Sequence, residues 1–188
     1  MENYNSILES SSLVDILTLR YDPSLKSNLP KKNWQDFKPI NKVPNIEFIE
    51  KSICNALEQK LKNFKGQKIC IALSGGVDST LVLSLIRKVK PDIDIEAISI
   101  KFANSVDETI VASGIANEFD SNHHILYLEN YLSELPKAIS MIKLPFWDLH
   151  WYYVAKKSKT LSKILISGDG GDELLGGYTF RYNKFISL

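Results

Sequence analysis

Lys68-Ile69-Cys70-Ile71-Ala72-Leu73-Ser74-Gly75-Gly76-Val77-Asp78-Ser79-Thr80 decides the fold. Its first half is a short apolar run closed by a turn, the pattern of a strand buried on both faces of a parallel sheet. Its second half turns on Gly75 and Gly76 and enters a helix expected over residues 79 to about 88, with Leu81, Val82, Leu85 and Ile86 on the inner side. Two residues without side chains let backbone N–H groups curl around an anion. The helix that follows aims its free N–H groups and positive dipole end at the same point. Ser74, Ser79 and Thr80 add hydroxyl donors, so the turn reads as a phosphate cradle. It has neither the G-x-x-x-x-G-K-[ST] pattern nor a lysine to reach a terminal phosphate. The charged residue inside it is Asp78, which repels phosphate unless a hard cation such as Mg2+ stands between them. A metal-bridged pyrophosphate is the expectation.

Toward the C-terminus, strands and helices alternate. A second strand is expected over 95–100. Ser105-Val106-Asp107-Glu108 fits an S-x-x-E capping box opening a helix that runs to about 119. A third strand is expected over 125–128, with His123 and His124 ahead of it in a structural role. Helical stretches over 131–141 and about 149–159 lead to a fourth strand over 163–167. This repetition makes a doubly wound parallel α/β sheet, with helices on both faces, the expected fold.

The fourth strand ends in a second loop, Ser167-Gly168-Asp169-Gly170-Gly171-Asp172-Glu173-Leu174-Leu175-Gly176-Gly177-Tyr178. Five glycines and three carboxylates in twelve residues make a poor core and a poor helix interior, but they suit a site. If the fourth strand lies beside the first, both loops meet where the strand order reverses, which is where open α/β sheets bind ligands. Asp78 and Asp172 would then share Mg2+ at a triphosphate.

Toward the N-terminus, Ile46, Ile49, Ile53, Leu57 and Leu61 recur at helical spacing, and Gly66 breaks the helix. Residues 1–44 show weak periodicity, with Pro30, Pro39 and Pro44 in their second half, and read as an extended arm lying on a domain over 45–188. The 188 residues suffice for one hydrophobic core. A formal net charge of +1 gives no overall bias toward nucleic acid or an anionic membrane. Cys54 and Cys70, without CxxC spacing, read as reduced core residues. No apolar run reaches the length of a membrane span and no signal-peptide pattern opens the chain, so the expected location is the cytoplasm. Lys156, Lys157 and Lys159 read as a solvated helix end, and Trp151-Tyr152-Tyr153 as packing.

The first loop, SGGVDST, matches the PP-loop signature SGGxDS at every fixed position, and its pairing with SGDGGDELLGGY resembles the synthetase domain of the asparagine synthetase family. The similarity extends from Asn45 through Tyr178, and Leu17-Thr18-Leu19-Arg20-Tyr21 faintly resembles that family's interdomain junction. The resemblance implies an ATP-dependent ligase that activates a carboxylate as an acyl-adenylate, releases pyrophosphate and forms an amide with ammonia. Carried over by position, it implies that Ser74, Gly75, Gly76, Asp78, Ser79 and Thr80 hold pyrophosphate and Mg2+, that Leu73 and Ile100 meet adenosine, and that Ser167 and Gly168 flank the α-phosphate and ribose. Asp169 matches an acidic position in adenylate formation, Asp172 a metal ligand, and Glu173 joins them as a catalytic candidate.

Three departures qualify the expectation. Residue 2 is Glu2, without the glutaminase cysteine, so ammonia would come from solution or a partner glutaminase. The family's helical lobe with its catalytic lysine has no counterpart before Leu188, which also makes a partner chain or homodimer plausible. The segment over 144–153, where the family selects its acid, is aromatic here and argues against aspartate, with His150 an open candidate. Two alternatives stand beside the ligase: a non-catalytic ATP-binding subunit or half of a split enzyme, and another PP-loop chemistry such as tRNA modification. The last usually brings cysteine pairs or a basic RNA face, and the chain shows neither.

Overall fold

A computed structural model describes residues 45–64, 68–103, 105–142 and 149–178, together with Val14, Asp36 and Asn183. Apart from Val14 and Asp36, the arm expected over 1–44 lies outside the described residues, as do the break at Gly66 and the aromatic residues at 144–148. The helix expected from the isoleucine–leucine period is α1 (Ile46–Leu61), capped by Asn45, whose Oδ1 accepts from the Phe48 amide at 2.9 Å. Then come β1 (Ile69–Ala72), α2 (Val77–Val89), β2 (Ile95–Phe102), α3 (Thr109–Glu118) and β3 (Asn122–Leu128). A 3-10 turn (Tyr131–Glu134) leads through α4 (Leu135–Ile142) and α5 (His150–Leu161) to β4 (Leu165–Ile166) and the short α6 (Gly171–Leu175).

Four parallel strands form one sheet in the order β3-β2-β1-β4. The chain winds outward from β1 to β2 and β3, then returns to place β4 on the other side of β1. The order therefore reverses between β1 and β4, the topological switch point of an α/β sheet.

Strand alternation builds a core on each face. Ile69, Ile71, Ile95 and Ala97 face Leu83 and Ile86 of α2, Ala112 and Ala116 of α3, and Leu61 of α1. Cys70 and Ile98 face Val154 of α5, and beyond them Leu149 and Tyr153 pack on Ala138 of α4. Full burial of an aliphatic side chain of this size contributes roughly 1.5–3 kcal/mol, so the two cores set the relative positions of β1, β2 and their helices.

Local readings shift in four places. The inner face of α2 is carried by Leu83, Leu85 and Ile86, while Leu81 is 39% exposed. The helix begins at Val77, and in so apolar a segment periodicity alone does not single out one face. The capping box is not formed. The Ser105 hydroxyl donates to the Phe102 and Val106 carbonyls, and Asp107 caps α3 instead, with Oδ1 3.0 Å from the Thr109 amide and 2.6 Å from its hydroxyl. The Thr109 hydroxyl, foremost, holds the Asp107 carboxyl below its ordinary range. His123 and His124 lie inside β3 rather than before it. Cys70 is fully buried, with its thiol pushed up by burial, whereas Cys54 on α1 is only half-buried.

Candidate active site

The first loop is knotted by one hydroxyl. Ser79, 6% exposed at the start of α2, accepts from the Ser74 amide at 3.2 Å, stands 3.0 Å from the Ser74 hydroxyl, and lies 3.3 Å from both the Ser74 and Gly76 carbonyls. The Thr80 hydroxyl donates to the Gly76 carbonyl at 2.8 Å. Gly75 matters as a close approach: a methyl group there would stand 3.3 Å from Cβ of Val111 on α3.

The second loop depends on two left-handed glycines, Gly170 (φ 90°) before α6 and Gly176 (φ 79°) after it. It approaches the first loop at Gly168, against backbone, and at Gly171, against the Asp78 side chain. A methyl group on Gly168 would stand 2.9 Å from the Asp78 carbonyl carbon, and one on Gly171 would stand 2.9 Å from the Asp78 carboxyl carbon. Gly177 lies against Asp172, where a methyl group would come 1.7 Å from Oδ1. The Glu173 carboxylate accepts from the Tyr178 hydroxyl at 3.0 Å.

Between the loops opens a cavity of about 520 Å³, the size of a small-molecule site. From the first loop Leu73, Ser74, Asp78 and Ser79 line it, and from β2 Ile100 does. From the second loop Ser167, Gly168, Asp169, Asp172 and Glu173 complete it. The structure thus brings together ten of the thirteen residues named from sequence. Gly75, Gly76 and Thr80 are not among the lining residues; they shape the turn beside it. Several lining residues carried no sequence signal of their own: Glu108 and Thr109 at the head of α3, Ser99 and Phe102 on β2, and Trp151 on α5. They lie far from both loops in sequence, and only the fold brings β2, α3 and α5 to the cleft. Tyr178 lines the cleft too, and the second motif ended on it.

Electrostatically the cleft is one-sided. Asp78, Glu108, Asp169, Asp172 and Glu173 line it, and no lysine or arginine does among the described residues; His150 is the nearest to a cation. The side-chain charges would repel phosphate unless a divalent ion came with it. Among the described residues no three His, Cys, Asp or Glu side chains are gathered to hold a metal unaided. One or two carboxylates with phosphates completing the shell is how Mg2+ is commonly bound, and the hard oxygen donors of Asp78 and Asp172 fit that ion.

A parallel α/β sheet with two glycine-rich acidic loops meeting at its switch point defines a domain of the PP-loop type. The family model described as asparagine synthase matches residues 52–187, and the chain belongs to that family. It is 31% identical over 160 residues to the putative asparagine synthetase [glutamine-hydrolyzing] 2 of Methanocaldococcus jannaschii, covering 81% of this chain and 31% of that one. To asparagine synthetase [glutamine-hydrolyzing] 1 of Bacillus subtilis it is 34% identical over 126 residues, covering 62% of this chain and 19% of that one. The chain thus spans a third or less of the length of these relatives. Among solved structures, the NH3-dependent NAD synthetase of Campylobacter jejuni superposes with a TM-score of 0.52 at 21% identity, covering 72% of this chain and 62% of that one, a likeness of fold. No helix among the described residues is long and apolar enough to cross a membrane.

Proposed function

We propose that the chain binds ATP across the two loops and uses it to activate a small carboxylic acid as an acyl-adenylate, which ammonia converts to an amide. The substrate carboxylate attacks the α-phosphorus, the bond to the β-phosphate breaks and pyrophosphate leaves. Ammonia then adds to the acyl carbon, AMP departs and a proton is released. The observation carrying this reading is the contact of Gly168 and Gly171 with Asp78 and Ser79, which sets the second loop beside a helix N-terminus.

In this assignment Ser74, Ser79 and the backbone amides of the Gly75–Gly76 turn, braced by Thr80, hold the β- and γ-phosphates. Leu73 and Ile100 bound the base, and Ser167 and Gly168 flank the α-phosphate and ribose. Asp78 and Asp172 hold Mg2+, which offsets phosphate charge when bound. Asp169 and Glu173 stand by the reacting carboxylate and nucleophile. Charge that develops on phosphoryl oxygens calls for fixed donors more than for a protein nucleophile, and the cleft's residue types suit that demand. His150 and Trp151 make its far wall imidazole and aromatic, which favours an acid other than aspartate. Ammonia comes from solution or from a partner glutaminase, and a partner chain or a second copy associates with the domain. The setting is cytoplasmic, and neither nucleic acid nor membrane takes part.

The test is Mg2+-dependent formation of AMP and pyrophosphate in the presence of ammonia and a panel of carboxylic acids. ADP in place of AMP, or no ATP binding at all, would overturn the reading. ATP bound without turnover would mark a nucleotide-binding subunit.

A further inference from the structure

Under the floor of the cleft runs a polar chain that the reading above leaves unused. Ser99 on β2, 4% exposed, lines the cavity and donates its hydroxyl proton to the Leu73 carbonyl at 2.6 Å. Its oxygen lies 2.7 Å from Nε2 of His123 on β3, and Nδ1 of His123 lies 2.9 Å from the Ser113 hydroxyl on α3. Ser113 stands also 2.8 Å from the Thr109 carbonyl. The shorter of the two serine–carbonyl bonds, at Ser99, assigns the imidazole tautomer. With the Ser99 proton assigned to Leu73, Nε2 is the donor to Ser99 and Nδ1 the acceptor from Ser113. Thr109, whose carbonyl sits in the helix ladder, loses least when Ser113 turns to the ring. Burial holds His123 below its ordinary value and keeps it neutral, as this arrangement requires.

The ring thus ties three walls of the cleft together: Leu73 at the end of β1, Ser99 on β2 and the Thr109 turn of α3. Ser99 and Thr109 lie on the side of β1 away from β4, and Leu73 ends β1 itself. With the phosphates between β1 and β4, the rest of a nucleotide must extend over β2, where Leu73, Ser99, Thr109 and Ala112 line the cavity with uncharged groups and Glu108 is the carboxylate beside them. We propose that His123 is a positioning residue for the base-binding end of the cleft, acting through Ser99 to hold the Leu73 carbonyl at a fixed angle with one lone pair left for the base. The proposal rests on the nucleotide-binding reading above and adds to it a residue that does not touch the ligand.

Two ligands separate the base end from the phosphate end: ATP and inorganic tripolyphosphate, each titrated with Mg2+ into the full chain. His123→Ala and Ser99→Ala should weaken ATP about tenfold, the scale of one well-placed buried hydrogen bond, and leave tripolyphosphate within about twofold. His123→Gln, whose amide restores a donor where Nε2 stood, should recover most of the loss, whereas His123→Asn should not. Melting temperatures are read alongside, and should His123→Ala unfold, Ser99→Ala carries the same comparison. Equal weakening of both ligands, or unchanged ATP binding in Ser99→Ala, would overturn the role of His123. Failure of the unsubstituted chain to bind ATP would instead overturn the reading of the site.

Discussion

No side chain fits between Gly168 and Ser79: a methyl group on Gly168 would stand 2.8 Å from the Ser79 backbone nitrogen. The obstacle is backbone held by α2, so it cannot rotate away as a side chain would. Gly168→Ala should therefore push the second loop off the first. The expected cost is about 1–3 kcal/mol in stability, typical of overpacking, with ATP binding weakened at least tenfold, as misplacement of one wall of a site implies. Calorimetric titration and urea unfolding of the variant check both, and unchanged ATP affinity would show that the loops do not share a ligand.

Gly177 sets a milder constraint, because its nearest neighbour is the mobile carboxylate of Asp172, with the Asp172 Cα behind it at 3.1 Å. Gly177→Ala should swing that carboxylate aside with little effect on folding, and Asp172→Asn should remove its charge. Both variants should raise the Mg2+ concentration needed for half-maximal ATP binding, Asp172→Asn more strongly, while melting temperature moves little. A Mg2+ requirement identical to that of the unsubstituted chain would exclude Asp172 from the metal's surroundings.

Gly114 offers the opposite case. It lies in α3, is exposed, and a methyl group there meets nothing within 4 Å. Gly114→Ala should stabilise the protein by about 0.5–1 kcal/mol, the difference between glycine and alanine in a helix interior. The midpoint of urea unfolding reports it, and ATP binding should not change.

Glu96 governs the acid limb of stability. Its side chain is 4% exposed and faces Lys68 Nζ at 2.7 Å and His124 Nε2 at 2.6 Å, with Asn122 Nδ2 at 3.5 Å. Burial pushes its carboxyl up, but the hydrogen bonds from Lys68 and His124 outweigh that and leave it below the ordinary value. A carboxyl depressed in the folded state contributes stability above its unfolded value, about 4.3, and loses it as pH falls through the lower folded value. Unfolding free energy should therefore drop below about pH 4.3, and Glu96→Gln should flatten that drop. At neutral pH Glu96→Gln should cost about 1–2 kcal/mol, toward the low end for hydrogen bonds to a charged group because Lys68 is half exposed. An acid limb unchanged in Glu96→Gln would assign the drop to other groups.

The parallel α/β alternation and the two loops were legible because an apolar strand followed by glycines and a helix is a strong local pattern. The place of β4 beside β1, on which the meeting of the loops depended, was only a condition in the sequence and is supplied by the fold. What escaped was competition among short polar residues. Ser105 fitted a capping box, yet Asp107 two residues on reached the Thr109 amide better, and spacing carries no record of that contest. Likewise β3 begins at Asn122 because His124 finds the buried Glu96 and His123 finds Ser99, partners 28 and 24 residues away that no local window contains. Lys156, which looked merely solvated, pairs with Glu134 at 3.1 Å and lies 5.8 Å above the Tyr152 ring. Within the cleft, Ser99, Glu108 and Thr109 became visible only once β2 and α3 were set side by side.

β4 is joined to the sheet through only two paired positions, Cys70 with Leu165 and Ile71 with Ile166, whereas β2 holds β3 through seven. The strand that carries the second loop is thus the one most easily peeled away, and local opening there should cost far less than unfolding the centre. A nucleotide gripping both loops acts as a clasp across that weak seam, adding about 2.7 kcal/mol at a hundredfold excess over its dissociation constant. Amide hydrogens of Leu165 and Ile166 should then exchange more slowly as ATP is added, while those of β2 hardly respond.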